Sequence, residues 1–304
     1  MTRLATMVLA GVMAAAALGA GPAAATCGPA KGLGPGADVE CPAITTPIAS
    51  LARSRVGYSH VVVVIEENSS GPAVIGGGQA PYLKGLAGQG EYFPNYRGVS
   101  HPSEPNYLAL FSGSTLHTDG SDNCIKTSAR SIVGEARAAG VSVEGYVEGL
   151  SSGSNYACRH DAFSQFSDAK GAESDFSKFP SDYARLPKLS FVVPNLVNDM
   201  GDNGNVADGD RWAKAHLSGY AHWAKAHNSL LIYVADESGN DPNYNGNQPG
   251  ENGNNALALV IGARIPGKVI TGRFDHYSML RTLEDIFGLG HLGASARASD
   301  MFST

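Results

Sequence analysis

Residues 61–68 read VVVVIEEN, and residues 101–113 read HPSEPNYLALFSG. The first stretch is a run of β-branched residues, typical of a strand covered on both faces, that ends in two glutamates and an asparagine. The second places Ser103 between two prolines at the start of an apolar helix that Gly113 stops. A buried strand that ends in oxygen ligands, followed by a serine at a helix start, favours metal-assisted chemistry on a phosphate.

The rest of the chain alternates apolar strands with helices. We predict strands at 61–65, 141–147, 189–193, 230–235 and 257–261, and helices at 80–88, 105–112, 131–139, 210–227 and 276–287. The Gly-rich stretches 71–78 and 239–253 are predicted to be loops. This pattern indicates an α/β fold with a mostly parallel central sheet and helices on both faces.

The first 25 residues are typical of a secretory signal. Arg3 provides a positive charge, residues 7–18 are apolar, and residues 23–25 are alanines that suit cleavage. A retained anchor is the alternative, although the apolar run is short for a membrane span and no later stretch is long enough. We therefore predict a secreted protein without a stable membrane anchor. A single domain would cover residues 26–304 and begin with an irregular N-terminal arm at 26–55.

An even number of cysteines fits export to an oxidising compartment. Cys27, Cys41, Cys124 and Cys158 allow three pairings, and no Cys-x-x-Cys spacing suggests zinc. We favour Cys27–Cys41 and Cys124–Cys158, because each pair shares a loop-rich stretch. The alternative is that one pair stays reduced.

The charge of the chain excludes some classes of partner. The formal net charge is −6 and there is no run of Lys or Arg, so nucleic acid and anionic membrane surfaces are poor partners. A negatively charged protein that handles phosphate needs local positive potential. A metal ion and the N-termini of helices can provide it.

Polar side chains follow three of the predicted strands: Glu66, Glu67 and Asn68 after the first, Asn195, Asp199 and Asp202 after another, and Asp236 and Glu237 after a third. A single acidic pair would be explained by a solvated turn. Because ligands bind at the carboxyl ends of parallel strands, the recurrence favours a shared cation site. Oxygen ligands suit Mg²⁺, Ca²⁺ or Mn²⁺, and mixed sites also take Zn²⁺.

Two interpretations of Ser103 stay open at this point. As a nucleophile, its hydroxyl would lie at the positive end of a helix, where an alkoxide and a phosphate are both stabilised. As a plain N-cap, it would only satisfy backbone N–H groups. Arg159 and His160 present the same choice: a phosphate clamp and a general acid, or a surface arginine and a structural histidine.

Taken together, these motifs resemble the phosphoesterase family of the alkaline-phosphatase-like superfamily. The resemblance is closest to secreted acid phosphatases of bacteria and fungi, a phosphatidylinositol 3-phosphate phosphatase among them. Six stretches carry it, spread over residues 60–289: HVVVVIEENSS, APYLKGLAGQG, HPSEPNYLALFSGST, KLSFVVPNLVNDM, WAKAHNSLLIYVADES and DHYSMLRTLEDIFGL. HPSEPNYLALFSG is the most specific of them.

The resemblance implies a role for each matching position. Ser103 would be the nucleophile, with Arg159 and His160 as a basic element near the phosphate. The metal ligands would be Glu67, Asn68, Asp236 and Glu237, holding one divalent ion such as Mg²⁺, Ca²⁺, Mn²⁺ or Zn²⁺. Substrate contacts are assigned to Asn106, one helical turn after the nucleophile, and to Asp202.

One position departs from the family pattern. Gly201 stands where the family commonly has a histidine that is thought to serve the active site. If that side chain normally moves a proton or holds the metal, Gly201→His should raise activity or shift its pH profile. The alternative is that Asp202 or Asn203 has taken over its role.

The resulting functional hypothesis is a secreted, metal-dependent phosphomonoesterase that works through a phosphoserine. Its partner would be a small phosphorylated substrate or a phospholipid headgroup, with phosphoinositides as one candidate. A phospholipase C-like phosphodiesterase is the first rival hypothesis, and a catalytically weakened phosphate- or lipid-binding homologue is the second. The sequence predicts no oligomeric state.

Overall fold

A computed structural model describes residues 57–239 and 254–302. The predicted signal, the N-terminal arm, the Cys27–Cys41 pair and nearly all of the predicted loop at 239–253 lie outside the described residues, so these predictions remain untested. Among the residues described, no helix combines the length and the apolar character that a membrane span requires.

Ten strands and seven α-helices are present in the described part of the chain. In chain order they are β1 Val61–Glu66, α1 Gly71–Gly76, α2 Pro81–Ala87, β2 Glu91–Tyr92, β3 Tyr96–Arg97, α3 Ser103–Ser112, α4 Ile132–Ala138, β4 Val143–Val147, α5 Ala162–Gln165, β5 Glu173–Asp175, β6 Leu189–Val193, α6 Val206–Ala226, β7 Leu230–Ala235, β8 Ala258–Gly262, β9 Lys268–Val269, β10 Phe274–Asp275 and α7 His276–Phe287.

An eight-stranded sheet forms the centre of this region, with the strand order β5-β4-β6-β1-β7-β8-β2-β9. Strands β4, β5, β6, β1 and β7 are parallel, whereas β8 runs antiparallel to both β7 and β2. The predicted mostly parallel α/β sheet is therefore confirmed. Every residue of β1, β6, β7 and β8 is buried, as their continuous apolar sequences indicate.

Helices cover both faces of the sheet, as predicted. Side chains of adjacent strand residues point to opposite faces of the sheet. The surroundings of Gly145 and Tyr146 in β4 therefore show what packs on each face. A Cβ at Gly145 would touch the ring of Phe163 in α5. On the other face, Tyr146 packs edge-on against Phe179, with 5.1 Å between the ring centroids, and aromatic contacts continue from there to Tyr220 of α6.

Some elements differ from the predictions for local reasons. Helix α6 begins at Val206 rather than at 210, because the side chain of Asn205 accepts hydrogen bonds from the N–H groups of Ala207 and Asp208. The stretch 71–78 was predicted to be a loop, but its first six residues form α1, which has a proline in its first turn. The two- and three-residue strands β2, β3, β5, β9 and β10 are too short to produce a periodic sequence pattern.

Candidate active site

The carboxyl ends of β6, β1 and β7 meet at one edge of the sheet, and each leads into an acidic residue. Glu67 follows β1, and its N–H donates to the backbone oxygen of Asp199, in the turn after β6 (2.8 Å). Asp236 follows β7, and its N–H donates to the backbone oxygen of Glu66 (2.9 Å). These backbone hydrogen bonds extend the pairing just beyond the strands. They place the buried carboxyl groups of Glu67, Asp199 and Asp236 side by side.

Ser103 lies directly against the carboxyl group of Glu67, the residue that follows β1. It is the first residue of α3, Pro102 occupies the N-cap position, and the Ser103 side chain makes no capping hydrogen bond. Its Oγ instead donates to Glu67 Oε1 at 2.6 Å, and the residue is 2% exposed. The plain N-cap interpretation is therefore wrong, and the hydroxyl points at the acidic cluster.

Asn106 fastens the turn that precedes Ser103. Its Oδ1 accepts from the N–H groups of Val99 (2.8 Å) and Ser100 (3.0 Å). Its Nδ2 donates to the backbone oxygens of Ser100 (3.0 Å) and Pro102 (3.2 Å). This buried amide therefore holds the backbone on which Ser103 is presented, and its predicted contact with substrate stays a prediction.

Asp236 and Glu237 are held in place by the surrounding loops. Asp236 Oδ1 accepts from the N–H groups of Asn68 (2.9 Å) and Glu237 (2.6 Å). Glu237 Oε2 contacts His101 Nδ1, so this histidine, two residues before Ser103, supports the acidic pair. In each of these two residues, the other carboxylate oxygen takes no part in these contacts.

His276 supports the backbone of Asp236. It is the first residue of α7 and does not cap that helix, because Asp275 is the N-cap and accepts from Ser278 N–H. His276 Nε2 lies 2.5 Å from the backbone oxygen of Asp236, and Tyr96 Oη lies 2.8 Å from Nδ1. Burial lowers the pKa of His276 to about 4, so the ring is neutral and donates one hydrogen bond while accepting the other.

His160 reaches the same cluster from a different part of the chain. Its Nε2 lies 2.6 Å from Glu67 Oε2, and its Nδ1 lies 3.8 Å from Asp199 Oδ2. The imidazole stacks on Tyr107 of α3, with 5.2 Å between centroids and 13° between the planes. Burial is the largest influence on the pKa of His160 and lowers it, which favours the neutral form that binds metal ions.

A disulfide fixes the loop that carries His160 and Arg159. Cys124 and Cys158 are bonded, which confirms the predicted pairing. Arg159 contacts Asp202 and lies 3.7 Å from Asp122 (Nε to Oδ2), so two carboxylates hold its guanidinium at the edge of the cluster. Its predicted role as a phosphate clamp stays a prediction.

The electrostatics of the cluster are dominated by burial. Burial raises the pKa of Glu67 to about 8, although the hydrogen bond from Ser103 opposes the shift. Burial and the neighbouring charge of Glu67 raise the pKa of Asp199 to about 7. The same two causes raise the pKa of Asp236, and burial with the charge of Asp236 raises that of Glu237. Ionising these groups together therefore requires a compensating positive charge.

The donor atoms fit a divalent cation. Four buried carboxylate oxygens of this cluster have no hydrogen-bond partner among the described residues: Glu67 Oε2, Asp199 Oδ2, Asp236 Oδ2 and Glu237 Oε1. Buried polar atoms are nearly always satisfied, so a concentration of exceptions requires an explanation. A hard or borderline metal ion would satisfy them and supply the missing positive charge.

A polar cleft opens beside the cluster. It has a volume of about 450 Å³ and is lined by Asn68, Gln79, Met200, Gly201, Asp202, Gly204, Asn205, Val206 and Gly239. Its amide and carboxylate side chains provide many hydrogen-bonding groups, and little of its lining is apolar. A small polar ligand is therefore a better fit to this cleft than a lipid tail.

Gly201 allows the turn after β6 to lie against Glu67. A Cβ at this position would be 2.3 Å from Glu67 Cγ and 3.0 Å from Glu67 Cβ. The expected gain of activity from Gly201→His is therefore contradicted by this geometry. Any side chain here would displace Glu67, the residue that contacts both Ser103 and His160.

We expect Gly201→His to lower phosphate-ester hydrolysis roughly 10²-fold, because moving a positioned group by about 1 Å has an effect of that size. Steady-state rates of purified protein would measure it, with Gly201→Ala as a smaller perturbation at the same place. Gly78→Ala is the control, since a Cβ there meets nothing within 4 Å. A rate at or above that of the unaltered protein for Gly201→His would contradict this expectation.

The raised carboxyl pKa values also predict how stability depends on pH. A carboxyl whose pKa is raised in the folded state binds more protons there than in the unfolded chain. Stability therefore falls as pH rises from the unfolded value near 4 to the folded values of about 7 for Asp199 and 8 for Glu67. We expect the melting temperature of chelator-treated protein to fall on the order of 5 °C between pH 5 and pH 8.

Thermal melts with and without divalent cation would check this. Added cation should raise the melting temperature more at pH 8 than at pH 5, because binding competes with protons for the same oxygens. A chelator-treated protein that is more stable at pH 8 than at pH 5 would be inconsistent with the buried carboxyl cluster.

The contacts of two supporting residues, Glu148 and Asn254, were not identified from the sequence. Glu148 accepts from Asn195 N–H (3.0 Å) and from the Asn198 side chain (3.0 and 3.1 Å), and so holds the turn that leads to Asp199. Asn254 joins two loops of the site, because its Oδ1 accepts from Ser238 N–H and its Nδ2 donates to the backbone oxygen of Ser100. These contacts link segments that are distant in the sequence, and no local motif indicates them.

Known proteins share both sequence and fold with this chain. Residues 75–290 match the phosphoesterase family. The chain is 37% identical over 264 residues to a phosphatidylinositol-3-phosphatase of Mycobacterium tuberculosis, a match that covers 83% of this chain and 85% of that protein. It is 26% identical to an acid phosphatase of Aspergillus fumigatus, where the match covers 69% of this chain and 51% of that protein.

Solved structures show the same fold at low sequence identity. A protein in the alkaline phosphatase superfamily from Vibrio parahaemolyticus superposes with a TM-score of 0.58 at 13% identity, covering 82% of this chain and 71% of that one. The lipoteichoic acid synthase LtaP of Listeria monocytogenes gives a TM-score of 0.55 at 10% identity, covering 82% and 76%. The family match and the phosphatase relatives thus define a hydrolase of phosphate esters, and the fold has an alkaline-phosphatase-like architecture. This chain belongs to the phosphoesterase family.

Proposed function

We propose that this protein is a metal-dependent phosphomonoesterase that works through a phosphoserine at Ser103. The observation that carries the proposal is the buried hydrogen bond from Ser103 Oγ to Glu67 Oε1, 2.6 Å long, at the first residue of α3. A serine that only capped its helix would bond to backbone N–H groups, whereas this hydroxyl is directed at a carboxyl cluster that fits a cation.

The hydroxyl of Ser103 is oriented for attack on phosphorus. Glu67 Oε1 accepts its hydrogen bond, and the proton leaves Oγ along that bond as the new P–O bond forms and the ester P–O bond breaks. The leaving alkoxide takes a proton from solvent, and Glu67 gives up to solvent the proton that it accepted from Ser103. Water then hydrolyses the phosphoserine, which releases phosphate and restores the Ser103 hydroxyl.

Glu67, Asn68, Asp236 and Glu237 are the residues that would hold the cation of this reaction. Bound there, a divalent ion favours the ionised form of the nucleophile and neutralises charge on the phosphoryl oxygens. Asn68 would contribute its amide oxygen, since its Nδ2 already donates to Glu67 Oε1 (2.5 Å). The start of α3 adds the positive end of a helix dipole beside Ser103.

The substrate we propose is the phosphorylated headgroup of a phosphoinositide. The support is the 37% identity to a protein named phosphatidylinositol-3-phosphatase over 85% of its length, together with the polar cleft. Asn68, Gln79, Asp202 and Asn205 line that cleft, and such side chains suit the hydroxyl groups of a sugar-like ring.

We also propose that the protein is exported. The Cys124–Cys158 disulfide suits an oxidising compartment, and it fixes the loop that carries two of the site residues. The predicted signal at residues 1–25 agrees with this proposal.

A phosphate-release assay tests the proposed function. Protein covering residues 26–304 would be treated with chelator and then supplied in turn with Mg²⁺, Ca²⁺, Mn²⁺ or Zn²⁺. The substrates would be p-nitrophenyl phosphate, phosphatidylinositol 3-phosphate in vesicles, and phosphatidylcholine in vesicles. We expect metal-dependent release of inorganic phosphate from the two monoesters.

The same assay separates the rival hypotheses. Release of phosphocholine from phosphatidylcholine, without phosphate from the monoesters, would favour the phospholipase C-like phosphodiesterase. Binding of cation and phosphate with no product from any of the three substrates would favour the binding homologue. Full activity in the presence of chelator would contradict the proposed metal dependence.

A further inference from the structure

We propose that Glu104 is a positioning residue for Ser103, and that it holds the nucleophile in place by anchoring the start of α3 to the loop 119–125. This inference deepens the proposed function, on which it rests for the role of Ser103. Glu104 directly follows Ser103 in the chain and is 0% exposed. The sequence assigned no role to it.

The carboxylate of Glu104 is bound by the backbone of this loop. Its Oε2 accepts from Cys124 N–H (2.9 Å), and its Oε1 accepts from Ile125 N–H (2.7 Å). Cys124 has a left-handed backbone conformation with a φ of 53°, and successive N–H groups in such a turn form a concave site for an anion. Both carboxylate oxygens of Glu104 therefore hold the loop against the start of α3.

The same loop also holds the backbone around the nucleophile. Glu104 N–H donates to Asp122 Oδ1 (2.9 Å), so the side chain and the backbone of Glu104 are both bonded to the loop. On the other side of Ser103, Gly120 N–H donates to the backbone oxygen of His101 (2.9 Å). The nucleophile thus lies between two points at which the loop binds the chain.

The position of Ser103 Oγ depends on this support. Oγ donates to Glu67 Oε1 at 2.6 Å, so a tilt of the first turn of α3 would change the distance between these two atoms. Pro102, at the N-cap position, has no side-chain group that could bond to the turn. Asn106 bonds to backbone atoms next to Ser103, whereas Glu104 fixes the turn relative to another segment of the site.

The loop also joins the nucleophile to the opposite side of the site. Its Cys124 is bonded to Cys158, which directly precedes Arg159. Its Asp122 lies 3.7 Å from Arg159 (Oδ2 to Nε). The loop bound by Glu104 therefore keeps the nucleophile and the proposed phosphate clamp at a constant separation, which attack on a bound phosphate requires.

The simpler alternative is that Glu104 only stabilises the fold, and Glu284 of α7 provides a matched control for it. Glu284 is also a buried carboxyl group that accepts two hydrogen bonds, from Leu292 N–H (2.7 Å) and from Ser295 Oγ (2.6 Å). Substitution of either glutamate by glutamine removes a negative charge and disturbs two hydrogen bonds. We expect each variant to lower the melting temperature by roughly 5 °C.

Steady-state kinetics on p-nitrophenyl phosphate distinguish the two roles. Protein covering residues 26–304 would be supplied with Mg²⁺, Ca²⁺, Mn²⁺ or Zn²⁺, whichever gives the fastest phosphate release. Glu104→Gln should lower kcat on the order of tenfold or more, because a displacement of about 1 Å costs roughly 10²-fold. Its dissociation constants for that cation and for inorganic phosphate should be unchanged. Well below its melting temperature, Glu284→Gln should keep the kcat of the unaltered protein.

Hydrogen exchange of the peptide 101–107 provides a measurement that does not require turnover. Exchange should be faster in Glu104→Gln than in the unaltered protein, and unchanged in Glu284→Gln. A second variant, Asp122→Ala, changes a partly exposed residue and removes the acceptor of the Glu104 N–H group. It should show the lower kcat and the faster exchange to a smaller degree, and it decides the question if Glu104→Gln does not fold.

Normal kcat in folded Glu104→Gln, or an equal loss of kcat in Glu284→Gln, would overturn the proposal. If Glu104→Gln does not fold, normal kcat in Asp122→Ala would overturn it. Absence of phosphate release by the unaltered protein would instead contradict the proposed function. In that case faster exchange of the peptide 101–107 in Glu104→Gln would still support the anchoring role of Glu104, and unchanged exchange would overturn it.

Discussion

Ser103→Ala should lower phosphate release by a factor on the order of 10⁴ or more, the size of effect seen when a covalent nucleophile is removed. The substitution deletes the oxygen that lies 2.6 Å from Glu67 Oε1 and leaves every carboxylate in place. Binding of cation and of inorganic phosphate should therefore survive. Steady-state rates, metal analysis and a phosphate-binding titration on the same preparation would measure the three properties separately.

Ser112→Ala is the matched control for this experiment. Ser112 lies at the other end of α3, and its hydroxyl donates to the backbone oxygens of Leu108 (2.9 Å) and Ser114 (3.1 Å). Its rate should stay near that of the unaltered protein. In protein quenched during turnover, phosphate should be found on the peptide that contains residues 101–107. Phosphate trapped on another residue, or near-normal turnover of Ser103→Ala, would show that the proposed mechanism is wrong.

Asp236→Asn should weaken cation binding on the order of 10²-fold or more and reduce phosphate release at least as much. Loss of groups that only support a metal ligand already costs 10- to 100-fold in affinity or activity, and here a ligand itself changes. The fold should persist, because an asparagine Oδ1 can still accept from the N–H groups of Asn68 and Glu237. The substitution removes the negative charge and the oxygen Oδ2, which has no hydrogen-bond partner among the described residues.

Competition titrations with a metal indicator and phosphate-release assays at saturating cation would check this expectation. Excess cation should recover part of the activity, since the amide oxygen remains a weak ligand. Asp182→Asn, at an exposed position, serves as the control for loss of an acidic side chain. If Asp236→Asn binds cation normally and turns over at the normal rate, Asp236 is not part of the cation site.

Much of the fold follows from local sequence. The β-branched run at 61–65 and the apolar stretch at 230–235 were predicted as strands because burial on both faces requires continuous apolar residues. Their pairing in register, with Val61 opposite Leu230 and Glu66 opposite Ala235, then brings the two acidic ends together. Parallel topology alone therefore explains why residues 169 positions apart, such as Glu67 and Asp236, meet at one edge.

The direction of β8 and the short outer strands did not follow from sequence. An antiparallel strand buried on both faces has the same apolar composition as a parallel one, so the composition of 258–262 carries no signal for direction. Strands of two residues are stabilised by their partners in the sheet, and nothing in their own sequence indicates them.

The sequence by itself indicated a serine at a helix start and acidic residues at the ends of buried strands, and it favoured a disulfide between Cys124 and Cys158 that the structure confirms. These features depend on neighbours along the chain or on the rules of parallel sheets. Only the tertiary structure decided which way the functional side chains point. It directed Ser103 at Glu67 instead of at its own helix, buried His160 against the two carboxylates, and closed the space beside Gly201. Each of these outcomes depends on distances between segments far apart in the chain, and such distances are set by packing rather than by local sequence pattern.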